Sequence, residues 1–194
     1  MKLVMKNVYA LMFTLALFGF ANQAKAQVDV TINPIGLLFG DLNVGFDFVL
    51  SDNLSVEGTI GIATGSDDLV DAESKYFGLP ITVFGKYYFN PNNGADKFYV
   101  DAWLRFVNRS YKWEGDNASS YVDYSQTRVG IGFGIGYKIV SDGNFVFDIG
   151  LGAGRALVDN TKYDDGAGNQ TTVDWPDIMF AGKIGVGYRF GGGK

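Results

Sequence analysis

The amino-acid sequence predicts an all-β fold, namely an eight-stranded antiparallel up-and-down transmembrane β-barrel. Apolar and polar residues alternate with a period of two in eight segments, which is typical of strands rather than helices. The connections between these segments alternate between short and long, as in barrels whose larger loops lie at one end. One face of the segments carries bulky aromatic residues and the other carries glycine and charge, which indicates a narrow lumen inside an apolar wall.

The N-terminal residues have the organisation of a secretory signal peptide. A positively charged start is followed by an apolar stretch at Val8–Phe20 and by the small-x-small cleavage site Ala24-Lys25-Ala26. A membrane anchor or a buried first helix is the alternative, but the apolar stretch is shorter than the ~20 residues that span a bilayer. The sequence therefore predicts three parts: a signal peptide at residues 1–26, a barrel at residues 27–190 and a short C-terminal tail at residues 191–194.

The barrel region divides into eight predicted strands. In the first strand the apolar alternation changes parity at Asn33-Pro34, which predicts a β-bulge that also accommodates the proline. A two-residue hairpin at Gly40-Asp41 follows it. The predicted strands are Val28–Phe39, Leu42–Leu50, Leu54–Ala63, Tyr76–Phe89, Lys97–Arg109, Gln126–Ile139, Phe145–Val158 and Ile178–Phe190.

The remaining connections fall into two classes of length. Three are short turns and three are long and polar, and the two classes alternate along the chain. Outer-membrane barrels have tight turns on the periplasmic side and longer loops outside. The short turns are Ser51–Asn53, Pro91–Asp96 and Ser141–Asn144, and the long loops are Thr64–Lys75, Lys112–Ser125 and Asp159–Asp177.

The size of the side chains predicts which face points outward. The apolar face carries fourteen large aromatic residues, too much volume for the lumen of an eight-stranded barrel. The opposite face is rich in glycine, which suits a crowded interior. We therefore expect the aromatic face to lie outside: Phe46, Phe48, Phe77, Tyr87, Phe89, Phe98, Phe106, Phe133, Tyr137, Phe145, Phe147, Phe180, Tyr188 and Phe190.

Charged residues of both signs share the glycine-rich face. Inside a barrel such charges must be paired and hydrogen-bonded, because an isolated buried charge is very costly. With Arg109, this face carries four acids and seven bases. The alternative is the ordinary solvated face of a soluble protein. The residues predicted to form a lumen charge network are Asp47, Glu57, Lys86, Asp101, Arg105, Arg128, Lys138, Asp148, Lys183 and Arg189.

The last predicted strand, Lys183-Ile184-Gly185-Val186-Gly187-Tyr188-Arg189-Phe190, alternates and ends on an aromatic residue. In this strand, and in its architecture along the whole predicted barrel, the chain resembles the small OmpA/OmpX-type outer-membrane barrels. The resemblance implies a place in the outer membrane of a Gram-negative bacterium, among outer-membrane lipids and lipopolysaccharide. It also implies that Tyr188 and Phe190 form the signal read by the barrel-assembly machinery. The tail Gly191–Lys194 departs from the family's pattern.

The composition excludes several kinds of chemistry. The chain has no His and no Cys, so it cannot build a Ser-His-acid triad, a His or thiolate metal site, or a disulfide. Beyond the predicted signal peptide, 13 basic residues stand against 21 acidic ones, which argues against nucleic-acid binding. Acidic loop residues such as Asp67 and Asp159 are oxygen ligands of the kind Ca²⁺ prefers, but their spacing matches no EF-hand. We predict no catalytic residues, no cofactor and no metal.

These observations predict a non-enzymatic outer-membrane β-barrel with a structural or surface-interaction role, which presents long extracellular loops. Loop aromatics could bind an extracellular protein or glycan, since exposed Trp and Tyr favour recognition. Two alternatives stay open at this point: a narrow channel for ions or small solutes, and a soluble lipocalin-like barrel that binds a ligand inside. The aromatics in question are Trp113, Tyr121, Tyr124, Tyr163 and Trp175.

Overall fold

A computed structural model describes residues 27–38, 40–69, 72–115, 121–164, 170–172 and 176–191. The predicted signal peptide and most of the predicted tail lie outside these ranges. The described residues form nine strands and one short helix. They are β1 Gln27–Ile32, α1 Pro34–Leu38, β2 Asp41–Ser51, β3 Leu54–Leu69, β4 Ala72–Tyr88, β5 Lys97–Gly115, β6 Tyr121–Val140, β7 Phe145–Asp164, β8 Gln170–Thr172 and β9 Ile178–Phe190.

Eight of the strands close into a ring. Each of β1 to β7 pairs antiparallel with the next, β7 also pairs with β9, and β9 pairs back with β1. In the closing pair Val28 lies opposite Phe190 and Ile32 lies opposite Val186. The three-residue β8 extends the sheet beside the far end of β7. The predicted eight-stranded antiparallel up-and-down β-barrel is confirmed.

The first predicted strand is wrong in its second half. β1 ends at Ile32, and α1 begins at Pro34 instead of a bulged strand. Proline suits the first helical position because it has no N–H to leave unpaired. The Oδ1 atom of Asn33 caps this turn by accepting the backbone N–H groups of Ile35 and Gly36 at 3.1 and 3.0 Å. Residue 39, where the predicted strand ended, lies outside the described residues.

The three predicted long loops are largely strand. The pairing of β3 with β4 continues to Leu69 opposite Ala72, and that of β5 with β6 to Glu114 opposite Tyr121. β7 likewise runs to Asp164. Outward positions in these extensions are polar, for example Ser110, Ser125 and Lys162, so the apolar outer face that marks a strand in the sequence ends below them. The barrel therefore has a lower end, with its short turns, and an upper end, where α1 and three extended hairpins lie.

The outer wall carries a continuous apolar band. Thirteen of the fourteen aromatics predicted to face outward are exposed, and Phe106 is half-buried. On five strands the outward apolar positions span nine residues each: Leu42–Leu50, Leu54–Ile62, Phe98–Phe106, Ile131–Ile139 and Phe145–Ala153. No helix in the described part of the chain combines the length and apolar character needed to cross a membrane.

Two small clusters of apolar and aromatic side chains fill the lumen beside the charges. One contains Trp103 and the other contains Tyr88 and Tyr99. A Cβ atom on Gly132 would lie 2.2 Å from the Trp103 ring, and one on Gly136 would lie 2.2 Å from the Tyr99 ring. Glycine at these positions of β6 therefore makes room for two large rings in a narrow barrel.

Candidate functional site in the barrel lumen

The lower half of the lumen is organised around the ammonium group of Lys86. Its Nζ atom lies 2.5 Å from Glu57 Oε2, 2.9 Å from Asp148 Oδ2 and 3.0 Å from Asp47 Oδ2. All four side chains are buried. The ring of Tyr99 lies 4.9 Å from the same nitrogen, and the Tyr99 hydroxyl donates to Asp148 Oδ1 at 2.8 Å. The phenol thus stabilises both the cation and one of its carboxylates.

Three more basic residues extend this cluster. Lys138 contacts Asp47 and lies 2.8 Å from Asp29 Oδ2, and Arg189 holds Asp29 with two hydrogen bonds of 2.6 and 2.9 Å. Lys183 contacts Glu57 and lies 2.6 Å from Asp148 Oδ2. We call these eight residues the lumen charge network. Its four acids (Asp29, Asp47, Glu57 and Asp148) balance its four bases (Lys86, Lys138, Lys183 and Arg189), so the buried charge sums to zero.

The turn between β4 and β5 closes the lower end of the barrel. Arg189 donates to the backbone carbonyls of Asn93, Gly94 and Ala95, so the turn is fixed to the charge network. The Ala95 N–H donates to Asp52 O at 2.7 Å, and the Asn93 side chain donates to the Val140 carbonyl at the lower end of β6 at 3.0 Å. Ala95 is fully buried. We call this turn, residues 89–96, the floor turn.

Three carboxylates of the lumen charge network are close enough together to be considered as a metal site. Carboxylate oxygens of Asp47, Glu57 and Asp148 lie within 4.8 Å of one another, a grouping that could hold a cation. The ammonium group of Lys86 stands between them at ion-pair distance. The positive charge that such a group of carboxylates needs is therefore supplied by a side chain of the protein.

The structure brings seven of the ten predicted network residues together. Asp101, Arg105 and Arg128 also face the lumen but lie outside the network. Arg105 donates to the Phe180 carbonyl at 2.6 Å, and Arg128 forms an ion pair of 2.9 Å with Asp159. Asp101 forms no ion pair with a described residue. Arg105 and Arg128 lie higher on their strands, whereas Asp101 lies directly opposite Lys86 in the pairing of β4 with β5. Inward parity alone does not separate these three from the network.

Sequence reasoning missed Asp29, which partners both Lys138 and Arg189. It alternates with the outward residues Val28 and Val30, so its parity was a usable signal. Including it, and leaving out the three residues above and Arg109, changes the expected excess of bases into a neutral network. Tyr88 and Tyr99 were also missed. Their inward parity on β4 and β5 was the signal for them.

The upper half of the lumen widens into a space of about 490 Å³, which we call the upper vestibule. Two arginines and four tyrosines dominate its lining. Burial, the largest cause, and the neighbouring Asp159 carboxylate raise the pKa of the Tyr124 phenol, so this group remains a hydrogen-bond donor at neutral pH. Guanidinium groups, phenols and aromatic faces together suit an anionic or polar ligand. The lining residues are Tyr76, Arg109, Tyr111, Tyr124, Gln126, Arg128 and Tyr163.

The predicted assembly signal lies at the lower end of the apolar band. The rings of Tyr188 and Phe190 meet edge to face, with centroids 5.1 Å apart, and Tyr188 also packs against Phe145. All three side chains are exposed on the outer wall. A role in assembly stays a prediction, which this exposure allows.

Comparison with known proteins places the chain in a family. Residues 9–186 match the family described as "Protein of unknown function (DUF3575)". The chain belongs to this family. The match spans the described barrel almost to the end of β9, so the charge network is part of what the DUF3575 region contains, apart from Arg189. No curated protein sequence matches the chain significantly.

One solved structure supports the barrel type of this DUF3575 member. It is "The crystal structure of Ail, the attachment invasion locus protein of Yersinia pestis". The likeness has a TM-score of 0.53 at 12% sequence identity and covers 86% of this chain and 100% of Ail. At that identity it shows the fold alone. The expected resemblance to OmpA/OmpX-type barrels therefore holds at the level of the barrel fold, and the family match itself is to DUF3575.

Proposed function

We propose that this protein is a non-enzymatic barrel of the bacterial outer membrane whose role is surface interaction. The observation that carries the proposal is the apolar band on the outside of a closed barrel whose interior is charged. A strand that crosses a bilayer at a tilt needs ~9 to 11 residues, and the band spans nine on five strands. Water would be a poor solvent for this wall, since Phe133 is 77% and Phe180 67% exposed. The acyl chains of lipids, including those of lipopolysaccharide, would solvate this apolar wall.

The upper end supports the surface-interaction part of the proposal. β5 continues nine residues beyond the band, from Phe106 to Gly115, which at ~3.3 Å per residue is about 30 Å of strand. With its partners it carries the upper vestibule away from the membrane. The name of Ail refers to attachment, and a similar role here would take an extracellular protein or glycan as partner. The barrel-assembly machinery is the other partner that we propose, through Tyr188 and Phe190.

The lumen favours this role over a channel. The floor turn crosses the lower opening, and the charge network above it leaves Lys86, Lys138 and Asp148 without exposed surface. Wild-type protein in a planar bilayer should therefore show no steady conductance, and a stable open level would support the channel instead. A lipocalin-like role would need a lumen lined mainly by apolar residues, whereas the charge network fills its lower half and the apolar band lies on the outer wall.

Cysteine labelling tests the membrane placement and the orientation. The chain has no native Cys, so single cysteines report one position each. Lys162→Cys lies on the upper extension of β7 and Asp142→Cys in a lower turn, and both native side chains are exposed. An impermeant maleimide should label position 162 on intact cells and position 142 only after the outer membrane is permeabilised. Equal labelling of both, in a soluble periplasmic fraction, would overturn the proposal.

A shortened hairpin tests the surface-interaction role. Replacing residues 111–124 by a short turn removes the β5–β6 extension and leaves the nine-residue apolar band of both strands. Cells that carry this variant should attach to glycan-coated or cell-coated surfaces no better than cells without the barrel, while wild type attaches. Labelling at Lys162→Cys in the shortened background checks that the barrel is still inserted. Undiminished attachment of the inserted variant would refute a role for this hairpin.

A further inference from the structure

A second space lies in the lumen between the charge network and the upper vestibule. It has a volume of about 130 Å³, and we call it the side cavity. Arg105, Arg109 and Lys183 contribute its basic groups, and Asp41 and Tyr76 also line it. One water molecule needs ~10 to 15 Å³ of such a volume, so the cavity has room for several waters or for a carboxylate or phosphate group.

The barrel wall is interrupted beside this cavity. β1 pairs with β9 only between Val28 opposite Phe190 and Ile32 opposite Val186, so residues 178–185 of β9 have no β1 partner. The chain turns into α1 at this level. The side cavity reaches this interruption, because its lining includes residues on both sides of it: Ile32 at the end of β1 and Val44 on β2, and Gly182 and Ile184 on the part of β9 that has no β1 partner.

An apolar depression lies on the outer wall at the same place. Its floor consists of exposed side chains of the apolar band, and it reaches α1 at Ile35. Asn33, Gly182, Lys183 and Ile184 line both this outer groove and the side cavity, so the two spaces lie on either side of one thin part of the wall. The band residues of the outer groove are Phe98, Ile135, Tyr137, Ile149 and Leu151.

The three basic residues of the side cavity differ in whether a carboxylate of the protein pairs with them. Lys183 is held by Glu57 and Asp148, whereas neither Arg105 nor Arg109 forms an ion pair with a residue that the structure describes. The Nε atom of Arg105 is buried and has no hydrogen-bond partner there. Asp41 is the one carboxylate among the described residues of the lining, which also contains the guanidinium groups of Arg105 and Arg109. Basic groups therefore outnumber acidic ones in the lining, and the buried Nε atom of Arg105 is a donor that no described residue accepts.

We propose that this interruption is a lateral binding site for a single-chain amphiphile with an anionic headgroup. The headgroup, a carboxylate or a phosphate, binds Arg105 and Arg109 in the side cavity. The acyl chain passes the wall at Gly182 and Ile184 and lies in the outer groove. This inference rests on the proposed membrane placement, because the groove then faces the acyl chains of the outer leaflet.

Equilibrium dialysis tests the site on the full-length protein in phosphatidylcholine nanodiscs, with empty nanodiscs as the blank. The probes are radiolabelled dodecanoate, dodecyl phosphate and dodecyltrimethylammonium. We expect about one molecule of each anionic probe to bind per barrel, and the cationic probe to bind no more than to the blank. Tighter binding of dodecyl phosphate than of dodecanoate would identify a phosphate headgroup, and the reverse a fatty acid.

Variants separate the site from general partitioning into lipid. Arg105→Gln and Arg109→Gln should each weaken dodecanoate binding roughly tenfold, since a hydrogen bond to a charged group is of that size. Gly182→Trp should block the wall crossing, because the added side chain enters open space beside it. Arg155→Gln is the matched control, because Arg155 lies exposed on the outer surface of β7. Heat-dependent gel mobility checks that each variant is folded.

Two results would overturn the lateral site: equal binding of the anionic and cationic probes, or wild-type affinity in the folded Arg105→Gln/Arg109→Gln double variant. Neither result affects the proposed function if Lys162→Cys is still labelled on intact cells. If that labelling fails and the protein is soluble, the membrane placement is wrong and the lateral site is lost with it. The two failures are therefore distinguishable in the same set of variants.

Discussion

Replacing Lys86 by methionine removes the central cation of the lumen charge network. The substitution leaves Asp47, Glu57 and Asp148 around an uncharged side chain and changes the network from neutral to a net charge of −1. Removing one partner of a buried ion pair costs ~3 to 5 kcal/mol in free energy of unfolding. Lys86 serves three carboxylates, so we expect the upper part of that range. A protein with total stability of ~5 to 15 kcal/mol would lose a third of it or more.

The assay is urea unfolding of the barrel in phosphatidylcholine vesicles, followed by gel mobility without boiling. Lys162→Met is the control, because Lys162 is exposed on the β7 extension and forms no ion pair with a described residue. It should change the free energy of unfolding by less than about 0.5 kcal/mol. A similarly small change for Lys86→Met would refute the idea that the network stabilises the barrel.

A second substitution separates charge balance from loss of volume. Glu57→Gln in the Lys86→Met background makes the network neutral again, because it removes the carboxylate closest to Lys86. The double variant should recover at least about 1 kcal/mol over Lys86→Met, and the coupling follows from a double-mutant cycle. Should Lys86→Met alone fail to insert, restored insertion of the double variant gives the same answer. Strictly additive losses would mean that packing, not charge, explains the effect.

Three further outcomes follow from single contacts. Gly132→Ala should cost ~1 to 3 kcal/mol, because its Cβ would press on a buried indole ring, whereas Gly182→Ala enters open space and should be neutral in the same urea assay. Arg189→Met releases the floor turn and should give measurable conductance in planar bilayers, so a silent, folded variant would show that the network alone seals the lumen. Asn33→Ala removes the cap of α1 and should speed amide exchange at Gly36 about fivefold, for a cap of ~1 kcal/mol. Unchanged exchange at Gly36 would mean that the cap does not hold this turn.

Most of the barrel could be predicted because the side chains of each strand alternate between the outer wall and the lumen. An outward residue belongs to the apolar band and an inward residue meets a crowded polar lumen, so parity alone assigns residues as different as Phe133 and Lys138. This alternation stops being informative where the apolar band or the regular strand pairing ends. Beyond the apolar band the outward residues of β5 and β6 are polar, among them Asn108, Ser110 and Ser125, so the strand extensions read as loops. At Pro34 a local cap and a helical turn compete with pairing, and the sequence shows only a change of parity.

The sequence predicted most residues of the charge network, but it did not predict which of them contact one another. Parity places Asp47, Lys86 and Asp148 in the lumen, but their mutual distances depend on register between strands that are far apart in the chain. Arg105 and Arg128 have the same parity and lie in a different layer, where a backbone carbonyl and Asp159 are their partners. Height along the barrel axis is set by strand tilt and stagger, which hydrophobic alternation does not encode.

The lumen charge network also has a consequence for biogenesis, because its members come from nearly the whole circumference. Asp29 is on β1, Asp47 on β2, Glu57 on β3, Lys86 on β4, Lys138 on β6 and Asp148 on β7, while Lys183 and Arg189 are both on β9. β9, the last of the described strands along the sequence, thus supplies half of the positive charge. Until it docks, four carboxylates face two ammonium groups, and burying that imbalance in a bilayer would be costly. If the barrel lies in a bilayer as proposed, a chain whose β9 is unpaired would carry this imbalance into the membrane, and closing the ring with β9 would remove it.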